Sequence, residues 1–252
     1  MGTYNPPVDQ LLKLGDPDEG GSKHDYLALG IGAEHIPDLL RLLKDKELYD
    51  KEPQYYAQIH AWRALAQLKA REAIEPLLDL VAENTVAEDW SDWVLEELPV
   101  VLGRFGSDVI PLVVRRINPG KPAEAQDYAR VIAEVGKQHP DARSEAVSQL
   151  CRLLEAAETN DPTLNAFLIS NLIDLEATDA WPVIERAYTT GNIDESINGD
   201  LAHAKHYIGL GPKPPWVPPA PASSHPSGQN AKQRFNERQR QKKLAKKKRK
   251  RK

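Results

Sequence analysis

Cysteine is nearly absent: Cys151 stands alone among 252 residues. A single thiol can form neither an internal disulfide nor a multi-cysteine zinc site, which excludes zinc fingers and thioredoxin-type motifs together. Long hydrophobic runs are missing too, and no uninterrupted apolar stretch approaches the roughly 18 residues of a membrane span. The opening residues, Met1-Gly2-Thr3-Tyr4-Asn5-Pro6-Pro7, lack the basic and apolar regions of a secretory signal, and Pro6 stands where a myristoylation motif wants Ser or Thr. The expectation is a cytoplasmic protein with no membrane partner. No Gly-rich phosphate loop, Gly-x-Ser-x-Gly elbow or His-Glu-x-x-His pair occurs, so no reaction, metal or cofactor is indicated.

The formal net charge is only −4, and it conceals a segregation. Residues 231–252 carry thirteen Lys and Arg against one acid, Glu237, a net of +12. The first 230 residues hold the other 20 basic and 36 acidic side chains, a net of −16. Between body and tail runs Gly211-Pro212-Lys213-Pro214-Pro215-Trp216-Val217-Pro218-Pro219-Ala220-Pro221, a composition that favours extended backbone and reads as a linker. The tail has too few apolar residues for a core, and like-charge repulsion predicts an extended, disordered segment. The expected division is an N-terminal cap segment (1–24), a helical body (25–211), a Pro-rich linker (212–230) and a basic tail (231–252).

The body has a period. Apolar residues at i, i+3, i+4 and i+7 recur as Ile36/Leu39/Leu40/Leu43, Ile74/Leu77/Leu78/Val81, Ile110/Val113/Val114/Ile117 and Val147/Leu150/Cys151/Leu154, with a weaker fifth copy from Trp181. The starts at 36, 74, 110, 147 and 181 are separated by 34 to 38 residues, a spacing that marks repeats. Another amphipathic segment precedes each copy, as in Tyr55/Ile59/Trp62/Ala66, and short turns such as Gly106-Ser107-Asp108 join the two. Pro37, Pro76, Pro111 and Pro182 sit where the second helix begins, and there a missing N–H costs least. The predicted class is all-α: about five helical hairpins stacked as an α-solenoid.

The turn-then-apolar-Pro motif in Gly32-Ala33-Glu34-His35-Ile36-Pro37 and Gly106-Ser107-Asp108-Val109-Ile110-Pro111 resembles HEAT repeats of the phycobilisome-lyase-like kind. Pro6-Pro7-Val8-Asp9-Gln10-Leu11-Leu12, Ile59-His60-Ala61-Trp62-Arg63-Ala64-Leu65 and Asn160-Asp161-Pro162-Thr163-Leu164-Asn165 resemble uncharacterised bacterial HEAT-like proteins over approximately residues 4–211. The resemblance implies a repeat fold and no particular reaction. Some such proteins carry a C-terminal cysteine-rich zinc motif, which this chain lacks.

The densest candidate site is Glu88-Asp89-Trp90-Ser91-Asp92-Trp93-Val94-Leu95-Glu96-Glu97. On a helix Asp89, Asp92 and Glu96 form an acidic stripe beside Trp90 and Trp93, suited to a basic peptide through charge and cation–π contact. The competing reading packs both indoles between repeats and leaves the acids at a solvated helix start, where the dipole favours them. His60 and Trp62 are further protein-binding candidates, with core packing as their alternative. Pro99 should bend its helix. Asp200, His203 and His206 have helical spacing, but the outer two diverge by about 240°, which argues against a metal. Cys151 occupies an apolar position and should be an inert packing residue.

In the tail, Arg238, Arg240, Lys242, Lys243, Lys246, Lys247, Lys248, Arg249, Lys250, Arg251 and Lys252 could neutralise phosphates without sequence preference. The tail could equally stay solvated or meet the acidic body. The sequence thus suggests a noncatalytic scaffold that binds a protein or ribonucleoprotein partner through its helices, with nucleic acid or the ribosome contacted by the tail. Two alternatives stand beside it: an enzyme or enzyme subunit resembling the chromophore lyases, and a protein-only binding module with an incidental tail. Nothing in the sequence sets the oligomeric state.

Overall fold

A computed structural model describes residues 4–18, 24–48, 54–84, 91–190 and 192–215. Among these residues the fold is all-helical, without a strand. Its main α-helices are α1 (Ile36–Leu43), α2 (Ala57–Gln67), α3 (Ile74–Asn84), α4 (Ser91–Gly103), α5 (Val109–Arg116), α6 (Pro122–Gln138), α7 (Arg143–Leu154), α8 (Pro162–Asp174) and α9 (Trp181–Thr189). Two short helices, α10 (Glu195–Asn198) and α11 (Leu201–Tyr207), follow. All lie within Met1–Pro214, one of the two units into which the chain divides. The basic tail and most of the Pro-rich linker fall outside the described residues.

The even- and odd-numbered helices differ in how they are buried. In α1 only Leu39, Leu42 and Leu43 are buried, and in α5 only Val109, Ile110 and Val113, the single stripe of a helix with one face on solvent. In α2, by contrast, nine of eleven residues are buried, including Gln58 and His60. Such a helix is covered on more than one side. The contacts supply the reason: α2 meets α4, α4 meets α6 and α6 meets α8, while α1, α3, α5 and α7 each pack on the even-numbered helix that follows. At about 25 cal/mol per Å² of apolar surface removed from water, this shared interior is the main stabilising term.

Polar contacts between elements about one copy apart keep the spacing seen in the sequence. Arg63 meets Glu97, Arg71 meets Asp108, Arg116 meets Asp79 and Lys137 meets Asp174. Arg130 donates to the Glu96 carbonyl, Gln138 to Val100, His139 to Gly103 and Arg143 to Leu175. All eight pairs are 32 to 38 residues apart. Close backbone approach accompanies them: a Cβ on Gly136 would lie 2.9 Å from the Ala146 Cβ and 3.0 Å from Leu175 Cδ2, so only glycine lets α6 seat this tightly against α7.

The chain reversals repeat too. Positive φ occurs at seven described residues, and five of them, Gly30, Lys69, Gly106, Glu176 and Gly209, follow one another at intervals of 39, 37, 70 and 33 residues, with Gly15 and Gly199 outside this series. Around four of them the same bond closes the turn: Ile31 N to Tyr26 O, Ala70 N to Leu65 O, Ala177 N to Leu172 O and Leu210 N to Lys205 O. This is the bond that satisfies orphan carbonyls at a helix C-terminus. Lys69 and Glu176 make it despite carrying a Cβ, which resists that conformation. The doubled interval belongs to the copy in which α6 ends at extended His139, followed by Pro140.

The first copy departs from the pattern. Among the described residues no α-helix precedes α1; a 3-10 helix (Val8–Lys13) and turns over residues 26–30 stand there and pack on α2. Val8, Leu11, Tyr26 and Ile31 are buried in this strap.

Candidate functional site

The richest polar cluster lies where the strap meets α2. Its centre is His60, with no exposed surface. His60 Nε2 is 3.0 Å from the Gly15 carbonyl and Nδ1 is 2.8 Å from the Tyr26 hydroxyl. A carbonyl only accepts, so the imidazole proton sits on Nε2 and Tyr26 donates to Nδ1. Burial favours this neutral ring and pushes the His60 pKa down to about 4, with the nearby Arg63 and His24 acting in the same direction. Burial likewise raises the Tyr26 hydroxyl well above the usual phenol range. The His24 ring meets His60 edge-on at 5.0 Å, and its Nε2 is buried without a hydrogen bond.

One turn along α2, Arg63 joins three elements. Its Nε and Nη2 bind the two Glu97 oxygens of α4 at 2.5 and 2.9 Å, Nη1 donates to the Pro17 carbonyl at 3.0 Å, and Nη2 also reaches Asp18 at 3.0 Å. The Arg63 and Glu97 side chains are only 15% and 16% exposed. Burial acts to lower the guanidinium pKa, and the Glu97 hydrogen bond and charge, followed by Asp18, reverse that and raise it. A turn further, Gln67 accepts from Tyr26 N and donates to the His24 carbonyl. Neutral imidazole, protonated phenol and paired guanidinium form a clamp between strap, α2 and α4. Both His60 nitrogens are occupied, so this histidine has no free site for proton transfer to a substrate.

The sequence candidates separate on this frame. His60 and Trp62 are completely buried in α2 and present no face to a partner. Glu97 is held by Arg63, whereas Glu96, also on α4, is exposed. Asp92 and Trp93 lie in the first turn of α4, with side chains outside the description, and Asp89 and Trp90 lie outside the described residues. So do the tail residues Arg238 to Lys252. Pro99 falls within α4. Asp200 caps α11 by accepting from Ala202 N and His203 N, and also meets His203 Nδ1 at 2.8 Å. His206 instead bonds the Gly211 carbonyl. Among the described residues no group of three or more His, Cys, Asp or Glu could hold a metal ion. Cys151 packs half-buried against the core, and burial raises its thiol pKa.

Two further features were not read from the sequence. Asp127 on α6 is a half-buried carboxylate with no hydrogen bond or ion pair among the described residues, and burial pushes its pKa up to about 6 against the pull of Arg130. A small apolar cleft of about 90 Å³ is lined by Ile117, Ala125, Leu153, Leu164 and Leu168, with Arg152 beside them. The partners Tyr26, Asp18 and Gly15 lie 34 to 45 residues from the His60 and Arg63 side chains they meet, so no local pattern announces the clamp. One signal existed: Arg63 is the single charged residue of α2, whose other polar residues are Gln58, His60 and Gln67.

Comparisons with family models, with curated proteins and with solved structures return no match for this chain.

Proposed function

We propose that this protein is a noncatalytic scaffold: an α-solenoid of about five HEAT-like helical hairpins that binds a protein or ribonucleoprotein partner, with the basic tail adding salt-sensitive contact to nucleic acid. The observation that supports the repeat reading most directly is the set of eight polar contacts that join residues 32 to 38 positions apart. A stack of equivalent units requires each unit to touch its neighbour at one period, and such stacks offer extended surfaces to partners. The tail's net charge of +12 against a body of −16 supports the second contact through counterion release. Joining two modest contacts through a Pro-rich linker raises apparent affinity without any new interface. Among the described residues no helix is long and apolar enough to cross a membrane.

The test compares full-length protein with a form truncated after Pro226, by retention on immobilised RNA over a salt series and by pull-down with and without nuclease. Retention of the full chain should fall steeply with salt, and the truncated body should lose it while keeping its helical circular dichroism. Partners held by both forms in the presence of nuclease place protein binding on the helical body. Equal retention of the two forms at low salt removes the tail from the proposal.

A further inference from the structure

We propose that the N-terminal strap is an acid-released cap, which detaches from α2 as a unit when His60 is protonated, while the remaining helices stay folded. This is a conformational property of the fold and does not depend on the binding role.

His60 is the only fully buried histidine among the described residues, and both its nitrogens are committed to the strap, at Gly15 and Tyr26. As a cation it could keep its bond to the Gly15 carbonyl, but Nδ1 would become a donor and Tyr26 would have to turn its hydroxyl around. The larger cost is electrostatic, because the new charge has no exposed surface and stands beside Arg63 on its own helix. The groups that face this corner are His24, Asp16, Asp18 and Tyr26 from the strap and Glu97 from α4, with Arg104 acting on Tyr26. Acidification adds positive charge at His60 beside Arg63, and this weakens the junction between strap and α2. The sign follows from burial: the folded pKa is near 4 and the unfolded value 6.5, so stability of the closed strap is complete above 6.5 and is lost as pH falls toward 4.

The strap is the element most exposed to this loss. Among the described residues its only regular structure before residue 31 is one 3-10 helix, Val8–Lys13, whereas α6 runs for 17 residues and buries nine of them. Segments held by few backbone hydrogen bonds open below the global unfolding free energy. The other described histidines are not fully buried: His139 and His206 reach Gly103 and Gly211 carbonyls from half-exposed positions. No comparable penalty therefore acts on the later helices.

The test is hydrogen exchange by mass spectrometry on the full chain at pH 7 and pH 4.5, corrected for intrinsic exchange, with peptides from residues 4–18 and 24–31 compared with peptides from α6. With the two pKa values above, the strap's opening constant should rise about 60-fold between these pH values, with the strap opening more readily than α6 at both. His60→Gln can still donate to Gly15 and accept from Tyr26 but cannot titrate, and in it the pH-dependent rise should shrink to a few fold. Equal opening constants for strap and α6 at pH 4.5 overturn the proposal, as does an unchanged 60-fold rise in His60→Gln. Should that variant fail to fold, the His60 ring proton shift in the wild-type chain decides: it must titrate together with strap opening, and a midpoint near 6.5 in the closed state refutes the buried-charge argument.

Discussion

Replacing Arg63 by Met removes the guanidinium while keeping the length and much of the apolar stem. Glu97 then stands 16% exposed without its bidentate partner, and Asp18 and the Pro17 carbonyl lose their donor. Breaking a buried pair by deleting one partner costs about 3–5 kcal/mol because the other charge is stranded. The residual exposure of both side chains places Arg63→Met at the low end, about 3 kcal/mol. For a folded body of this size each kcal/mol shifts Tm by about 2–4 °C, so the drop is about 6–12 °C. Thermal and urea melts followed by far-UV circular dichroism at pH 7 measure it. In the double variant Arg63→Met/Glu97→Met no charge is stranded, and stability should recover by about 2 kcal/mol relative to the single change. Salt separates this pair from surface pairs: the loss should persist at about 0.5 M salt, where exposed ion pairs are largely screened. A shift below about 1 °C in Arg63→Met, or a double variant as unstable as the two single losses added together, would refute the account of this junction as a desolvated, interdependent pair.

Other outcomes follow from the same structure. Lys69→Gly and Glu176→Gly relieve left-handed backbone and should each stabilise by about 0.5–1 kcal/mol, since the relieved strain exceeds glycine's added entropy cost in the unfolded chain; urea midpoints decide, and a loss at both sites contradicts the strain argument. Gly136→Val places methyl groups where a Cβ already meets Ala146 and Leu175 and should cost about 2–3 kcal/mol, whereas Gly120→Ala, which meets only the Asn118 side chain, should be nearly neutral. Asp127→Asn should stabilise the fold by about 1–2 kcal/mol at pH 7. Its folded pKa is raised to about 6 from 3.8, so the penalty is present above 6 and disappears as pH falls below 4. An equal gain at pH 4 and pH 7 shows that charge burial is not its source.

The helical class and the repeat spacing were legible because they are local and periodic. Leu39, Leu42 and Leu43 bury one stripe of α1 as their spacing requires, and Pro37, Pro111 and Pro182 enter within the first turn of α1, α5 and α9. The sequence motif around Asn160 and Asn165 also has a structural use: Asn165 is fully buried and donates to the Ala157 and Asn192 carbonyls, and Asp161 caps α8. His60 could not be placed in the same way. Its two partners, Gly15 and Tyr26, lie on a strap with almost no periodic signal, and a histidine's exposure depends on what covers it.

By itself, then, the sequence determined the helical elements, their period of 34 to 38 residues and the opposition of an acidic body to a basic tail, because hydrophobic spacing and charge are properties of neighbours along the chain. Tertiary structure alone decided that the first copy begins with a strap, that Glu97 belongs to Arg63, and that Asp127 is left without an ion pair among the described residues. The physical reason is desolvation: whether a carboxylate or an imidazole is solvated, paired or buried depends on side chains that only folding brings beside it.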